Sequence, residues 1–177
     1  MPTVAETTAE QTQTTAAMAR LGGKYMAFKL AEEEYGLEIL KVREIIGFME
    51  VTRVPRTPDF IRGVINLRGK VIPVIDLRLK FGMPRTEATD QTVIIVVQCQ
   101  LADKQLTMGI LVDQVLEVLS IDGSHIEPPP SFGTFSIDTD FILGVGKADK
   151  RVIFLLDIDK VLSTEEAKTV AQQANAA

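Results

Sequence analysis

The stretch DFIRGVINLRGKVIPVIDL, residues Asp59–Leu77, decides the fold because the chain uses it twice. Shifted by 81 positions, it lies on DFILGVGKADKRVIFLLDI, residues Asp140–Ile158, and eight of the nineteen pairs are identical. A shift of 73 positions places YGLEILKVREII (Tyr35–Ile46) on MGILVDQVLEVL (Met108–Leu119) with the same apolar rhythm. Similarity of this kind indicates that one structural unit is repeated.

Each copy is predicted to be mainly β, because short apolar runs alternate with turn residues. Continuous apolar runs such as TVIIVV and VIFLL are typical of strands covered on both faces. The residues Leu40–Ile46 place apolar side chains at helical spacing, so we expect a short helix there. Four strand pairs are expected, formed by 24–30 with 35–39, 60–67 with 70–75, 92–99 with 105–112, and 141–145 with 151–156.

The fold predicted from this pattern consists of two similar, small, five-stranded SH3-like β-barrel lobes packed side by side. Short apolar strands must hide their edges, and closing a small barrel does so. We expect one domain over residues 22–163, with the first lobe at about 22–88 and the second at about 89–163. We also expect that one terminal strand can cross between the lobes.

Both ends of the chain differ from the domain in composition. Residues 1–21 hold six Thr and five Ala with few large apolar residues, so we predict a disordered tail. Residues 164–177 are rich in helix formers and predict a C-terminal helical tail that continues a helix begun near Asp159.

Composition predicts a cytoplasmic protein. No apolar run approaches the roughly 20 residues of a membrane span, and the N-terminus lacks the features of a signal peptide. Cys99 is the only cysteine, so no internal disulfide can form. Its position within TVIIVVQCQ favours a buried, unreactive thiol.

Charge is divided unevenly along a chain whose net charge is −5. Residues 22–88 carry 12 basic and 9 acidic side chains (+3), whereas residues 89–163 carry 5 and 11 (−6). Oppositely charged halves suit oriented docking to protein partners. Chance asymmetry on two solvated faces is the other interpretation.

The residues that usually carry catalysis are scarce, so the chain is predicted not to be an enzyme and to need no metal or other cofactor. His125 is the sole histidine and lies in the loop signal GSHIEPPP. Asp76 and Asp157 occupy the same repeat position, where a strand ends and a turn begins, and are interpreted as N-caps rather than as an acid–base pair. The prolines at 128–130 are interpreted as stiffening a long connection.

Three other positions invite a structural or a binding interpretation. Arg68 lies at the tip of the NLRG hairpin, where a fold needs a turn but no arginine, so it is either a partner anchor or a solvated turn residue. Glu44 has Glu117 as its repeat counterpart, so its carboxylate is either a contact or shared architecture. Gly63 and Gly144 recur within strands and predict a bulge or a close backbone approach.

Several of these motifs resemble CheW-type chemotaxis coupling proteins. They are YGLEILKVREIIG, VTRVPRTPDFIRGVINLRGKVIPVIDLRLKFG, TVIIV, GILVDQVLEVL, IEPPPSFG and FILGVGK..RVIFLLDIDKVLS, and the similarity runs from about Gly22 to Ser163. The kinase CheA carries a related regulatory domain, but a stand-alone chain of 177 residues fits the adaptor better.

The resemblance implies an adaptor that couples chemoreceptors, the methyl-accepting chemotaxis proteins, to the histidine kinase CheA in membrane-associated arrays. It implies no catalysis and no cofactor. By the resemblance, the kinase regulatory domain would contact Arg62 and Gly63. The cytoplasmic tip of the receptor would contact a groove that holds Val42, Glu44, Arg68, Val93 and Val118.

Two other classes of function fit the sequence less well. Small β-barrels of the OB type bind single-stranded nucleic acid, but such sites interleave aromatic and basic side chains, a pattern that the ten Phe and Tyr residues do not form here. A small-molecule enzyme would need a convergent set of polar residues, which the sequence does not offer.

Overall fold

The computed structural model describes residues 16–101, 104–129, 141–162, 166, 169 and 170. Within them the chain is mainly β, as predicted, with a short α-helix at Leu77–Lys80, called α1 here, and 3-10 turns at Ile39–Lys41 and Gly123–His125. The strands are β1 Gly23–Leu30, β2 Glu33–Glu38, β3 Val42–Gly47, β4 Ile61–Leu67, β5 Lys70–Asp76, β6 Val93–Leu101, β7 Lys104–Val112, β8 Gln114–Ile121, β9 Ile126–Glu127, β10 Ile142–Ala148 and β11 Arg151–Leu156.

These strands form two sheets. When each strand is matched to its counterpart in the repeat, the order of the strands is the same in both sheets. One sheet runs β3-β6-β7-β5-β4 and the other runs β8-β1-β2-β11-β10-β9. Strand pairing among the described residues does not close either sheet into a continuous barrel. We call the five-stranded unit lobe 1 and the six-stranded unit lobe 2. The expectation of two similar SH3-like lobes is therefore met, although their ladders stay open.

The two lobes do not follow the predicted division near residue 88. Each lobe takes its central hairpin from the other copy of the repeat, because β1–β2 lies in lobe 2 and β6–β7 lies in lobe 1. The expected crossing of one terminal strand is thus a reciprocal exchange of two whole hairpins. The exchanged hairpins join their new neighbours through parallel pairs, Val74 with Gly109 in lobe 1 and Leu155 with Gly36 in lobe 2.

The described residues form three hydrophobic clusters. One lies inside lobe 1 around Ile94 and Val96, and one lies inside lobe 2 around Tyr25 and Ile153. The largest cluster lies between the lobes and takes buried side chains from both. Strand β6 shows why its sequence is continuously apolar. Ile94 and Val96 face the lobe 1 core, whereas alternate residues such as Ile95 face the layer between the lobes.

The repeat is visible in the backbone as a pair of equivalent bulges. The ladder between β4 and β5 shifts register between Ile61 and Gly63, and the ladder between β10 and β11 shifts between Ile142 and Gly144. Gly63 has a φ of +141°, and a Cβ there would lie 2.0 Å from the Thr52 carbonyl oxygen. The predicted bulge and close backbone approach are therefore confirmed.

The predicted helix at Leu40–Ile46 is wrong beyond its first residues. A 3-10 turn ends at Lys41, and residues Val42–Gly47 form strand β3, paired with β6. The ladder with β6 shifts register between Val42 and Glu44. Val42 packs against the core between the lobes and Ile46 packs against the lobe 1 core, whereas Ile45 is exposed. The helix-like spacing of these apolar residues therefore comes from two different cores and an exposed side chain.

The predicted tails are corrected in part. The prediction of a disordered tail is wrong for residues 16–21, which form a helical turn that packs Met18 and Leu21 against the lobe 2 core. The chain after Asp157 begins as a turn rather than a helix, although residues 166, 169 and 170 are helical. Residues 1–15 and the remainder of the C-terminal tail lie outside the described residues.

Candidate functional site

Three groups that suggest chemistry have structural roles. Cys99 is buried as predicted, and burial raises the pKa of its thiol to about 12. Asp76 caps α1 by accepting hydrogen bonds from the backbone N–H groups of Arg78 and Leu79, at 3.0 and 3.4 Å. Asp157 accepts one from the Asp159 N–H at 3.1 Å. These contacts confirm the N-cap interpretation of both aspartates.

The described part of the chain contains no group of three or more His, Cys, Asp or Glu side chains placed to hold a metal ion. His125 lies exposed at the end of a 3-10 turn, in agreement with its loop signal. No helix among the described residues is long and apolar enough to cross a membrane.

Arg68 and Glu44 form an ion pair at one end of lobe 1. Arg68 occupies the tip of the β4–β5 turn with φ +52°, and its side chain is 73% exposed. Glu44 lies on β3, the opposite edge strand of the same sheet. The pair therefore bridges the two edges of lobe 1 and leaves most of the guanidinium open to a partner.

Lobe 2 has an equivalent ion pair, but its basic residue lies at a different position of the repeat. Glu117, the counterpart of Glu44, pairs with Arg151 at 2.6 Å, and Arg151 also pairs with Glu34 at 2.6 Å. A carboxylate on the edge strand that pairs across the end of the lobe is thus shared architecture. The basic partner is not shared, because Asp149 stands at the repeat position of Arg68.

The three predicted receptor-binding valines differ in their burial and in the lobe to which they belong. Val42 on β3 and Val93 on β6 are partly buried against the core between the lobes. Val118 lies on β8 in lobe 2 and is 50% exposed. Its position is the repeat equivalent of Ile45 on β3, which is 41% exposed.

The two predicted kinase-binding residues lie side by side on β4, the edge strand of lobe 1. Gly63 is buried, and the approach of the Thr52 backbone already accounts for a glycine there. The side chain of Arg62 is 17% exposed, with Nη1 3.6 Å from Oδ2 of Asp76. Arg62 is therefore the member of this pair that offers a polar group near the surface.

Further exposed apolar side chains were not singled out from the sequence. Leu40 is 88% exposed in the turn before β3, and Phe48 and Val152 are 40% and 51% exposed. These residues lie in apolar stretches of the kind that form buried strands, so the sequence does not indicate that they are exposed. Leu40 lies in the turn that leads into the edge strand β3, and Ile45 lies on that strand next to Glu44 in sequence. We call Leu40, the partly buried Val42 and Ile45 the apolar strip.

The fold and this surface define a class of protein, a two-lobed β module whose exposed apolar and ion-paired groups suit contacts with other proteins. A family model described as a CheW-like domain matches residues 24–166. The Chemotaxis protein CheW of Klebsiella aerogenes is 43% identical over 150 residues, which cover 85% of this chain and 87% of that protein. The protein of the same name from Bacillus subtilis is 34% identical over 151 residues, 85% of this chain and 93% of the relative.

A solved structure shows the same relationship. The crystal structure of the scaffolding protein TtCheW from Thermoanaerobacter tengcongensis superposes with a TM-score of 0.72 at 39% identity, covering 82% of this chain and 95% of that one. The chain belongs to the CheW family. Its role is that of a chemotaxis adaptor or scaffold, and it is not an enzyme.

Proposed function

We propose that this chain is a cytoplasmic adaptor that couples the cytoplasmic tip of chemoreceptors to the regulatory domain of the histidine kinase CheA, and that it is recruited to receptor arrays at the membrane. The family membership supports a role in linking chemotaxis components. The observation that carries the receptor contact is the Arg68–Glu44 pair at the end of lobe 1.

The pair suits a partner contact for three physical reasons. Arg68 is mostly exposed, it stands at a turn that is closed by a 2.9 Å hydrogen bond from the Gly69 N–H to Asn66 Oδ1, and Glu44 pairs with its guanidinium without covering it. A planar guanidinium held in this way donates hydrogen bonds in a fixed geometry to a carboxylate or a backbone carbonyl. The apolar strip of Leu40, Val42 and Ile45 adds area from which water is excluded on binding.

The receptor-binding set of this proposal is Val42, Glu44, Arg68, Val93 and Val118. Val118 lies in the other lobe, so it would meet the receptor only if the partner reaches across both lobes. The kinase-binding set is Arg62 and Gly63, of which Gly63 would act by keeping the backbone of β4 and Thr52 in contact.

The first prediction concerns Arg68→Glu. We expect this change to weaken binding to a receptor tip fragment by about tenfold or more, because it removes the exposed donor and places two carboxylates together. Stability should change by no more than about 1 kcal/mol, since exposed ion pairs contribute little. Titration of the receptor fragment by isothermal calorimetry measures the first effect, and thermal unfolding measures the second.

Two matched variants separate contact from charge. Lys70→Glu reverses an exposed charge on the same turn and should bind the receptor nearly as the natural chain does. The exchange Glu44→Arg with Arg68→Glu rebuilds the ion pair in reverse. If the exchanged variant recovers full binding, the pair is structural and the contact assigned to Arg68 is wrong.

A further inference from the structure

A carboxylate that follows β11 connects lobe 2 to two elements of lobe 1. Asp159 lies shortly after β11. Its Oδ2 accepts a hydrogen bond from Lys41 Nζ at 2.9 Å, and its Oδ1 accepts one from the Gln100 N–H at 2.7 Å. Lys41 ends the 3-10 turn that leads into β3, and Gln100 lies on β6. We call these three residues the interlobe bridge.

The interlobe bridge lies where the pairing of β3 with β6 ends. The ladder stops at the pair of Val42 with Val97, and Gln100 lies further along β6. A backbone N–H at such a point still needs an acceptor, and the carboxylate of Asp159 supplies it in place of a strand. The same carboxylate holds the turn from which β3 begins.

The other described contacts restrain this turn weakly. None of the residues Ile39–Lys41 is fully buried, and no side-chain hydrogen bond caps the start of the turn. Leu40 is 88% exposed, and the ladder of β3 shifts register between Val42 and Glu44. The position of the turn and of the first residues of β3 therefore depends on the interlobe bridge.

Asp159 itself stands on a well-anchored segment. Its neighbours Ile158 and Val161 are buried in the core between the lobes. Its N–H donates to Oδ1 of Asp157 at 3.1 Å. A carboxylate fixed in this way can hold a less restrained element in place, rather than move with it.

The repeat contains the reciprocal contact. Arg78 is the counterpart of Asp159 at the shift of 81 positions. It follows β5 of lobe 1 and pairs with Asp113, which directly precedes β8, an edge strand of lobe 2. Asp113 also accepts a hydrogen bond from the Ala31 N–H at 2.7 Å. In both copies this position therefore reaches the start of an edge strand in the other lobe, although the charges are reversed.

We infer that Asp159 is a positioning residue for receptor binding. From lobe 2 it holds Lys41, and through Lys41 it holds the turn and the first residues of β3, which carry the exposed Leu40 and the receptor-binding residue Glu44. A surface that is held before the partner arrives loses less conformational entropy on binding. The inference rests on the proposed function, because it concerns the edge strand assigned to the receptor.

The test is a double-mutant cycle in the full-length chain, with binding to a receptor tip fragment measured by isothermal calorimetry. Lys41→Gln and Asp159→Asn should each weaken binding by about threefold to fivefold, because a partly exposed ion pair can transmit to binding no more than its own modest contribution. The double variant should bind as either single variant does. Asparagine keeps an oxygen that can accept from the Gln100 N–H, so the variant removes the charge alone.

Two further variants and a second partner separate positioning from other effects. Lys41→Arg keeps the cation and should retain receptor binding. Lys160→Gln removes an exposed cation from the same segment as Asp159 and should leave receptor binding unchanged. Binding of all variants to the kinase regulatory domain should stay unchanged, because the residues assigned to the kinase lie on β4, at the other edge of lobe 1.

The outcomes are distinguishable. Losses that add in the double variant would show that Lys41 contacts the receptor itself, and would overturn the inference. Unchanged receptor binding by both single variants, or an equal loss of kinase binding, would overturn it as well. If the natural chain does not bind the receptor fragment, the proposed function itself fails.

Discussion

At the scale of single residues, Gly63 shows how closely the backbone is packed. The Thr52 N–H donates to the Val64 carbonyl at 2.9 Å, and the Val64 N–H donates to the Thr52 carbonyl at 2.8 Å. These two bonds pin the segment after β3 onto the free edge of β4. They bring the Thr52 carbonyl into the space that any side chain at residue 63 would occupy.

Gly63→Ala is therefore expected to lower the free energy of unfolding by about 3 kcal/mol or more, because the new Cβ must displace backbone atoms and adopt a positive φ. Urea unfolding followed by far-UV circular dichroism measures the change. Gly47→Ala is the control, since a Cβ at Gly47 meets no atom within 4 Å. A stability loss of similar size in both variants would show that the close approach at Gly63 is not the cause.

The sequence predicted the roles of several residues because local chemistry determines them. The N-cap positions of Asp76 and Asp157 and the special backbone at Gly63 and Gly144 follow from their place between a strand and a turn or within a strand. The exposure of Leu40 and Ile45 could not be predicted in this way. It depends on which strand lies at the edge of a sheet, a property of the assembled lobe.

At the scale of elements, Arg151 ties an exchanged strand to its new neighbour. It lies at the start of β11, and its two-oxygen contact with Glu34 joins it to β2 beside the parallel pairing of these strands. The hydrogen bond from Arg151, ahead of the opposing effect of burial, lowers the pKa of Glu34. The folded state therefore holds the Glu34 proton less tightly than the unfolded chain does.

This shift gives a pH prediction. The stabilisation from Glu34 is fully present above its unfolded pKa, about 4.3, and is lost as the pH falls through the lower folded pKa. Glu34→Gln should lower the free energy of unfolding by about 1 kcal/mol at neutral pH. It should have almost no effect at a pH below the folded pKa of Glu34, where the carboxyl group is protonated in both states. Urea unfolding across this pH range provides the measurement.

The exposed neighbour Glu32 supplies the control for the pH prediction, because it makes no ion pair with the described residues. Glu32→Gln should leave the free energy of unfolding at neutral pH within about 0.5 kcal/mol of that of the natural chain. If Glu34→Gln and the natural chain lose stability in parallel as the pH falls, Glu34 does not supply the effect.

The eight strands of the four expected hairpins were predicted well, whereas β3, β8 and the short β9 were not. Apolar runs between turns identified four hairpins, since both the runs and the turns are local. The apolar residues of β3 contact two different cores only once this strand pairs with β6, about fifty residues later in the chain, so their helix-like spacing was misleading.

At the scale of the whole molecule, the two lobes are held together by the hydrophobic core between them and by the exchanged hairpins. Leu37 on β2, Ile95 on β6 and Leu156 on β11 all contribute fully buried side chains to this core. Each lobe thus depends on strands from both copies of the repeat. The duplication of the strand unit could be predicted from the sequence. The exchange of hairpins between the lobes could not, because the two hairpins have similar apolar patterns and either one could pair within either lobe.

Leu37→Ala should therefore destabilise both lobes together, by about 2–5 kcal/mol, since it leaves a cavity in the shared core. Hydrogen exchange read by mass spectrometry should show faster exchange in β4–β5 of lobe 1 as well as in β10–β11 of lobe 2. Lobe 1 amides that keep their full protection would show that the lobes unfold independently.

The interlocked hairpins also set an order of events during synthesis. Glu34 pairs with Ile153, so the first hairpin leaves the ribosome long before the strand that flanks it has been translated. Until then its apolar faces have no permanent cover. We expect the nascent chain to stay open to chaperones until nearly its whole length is made, and no cut at the midpoint of the gene should yield two self-sufficient halves.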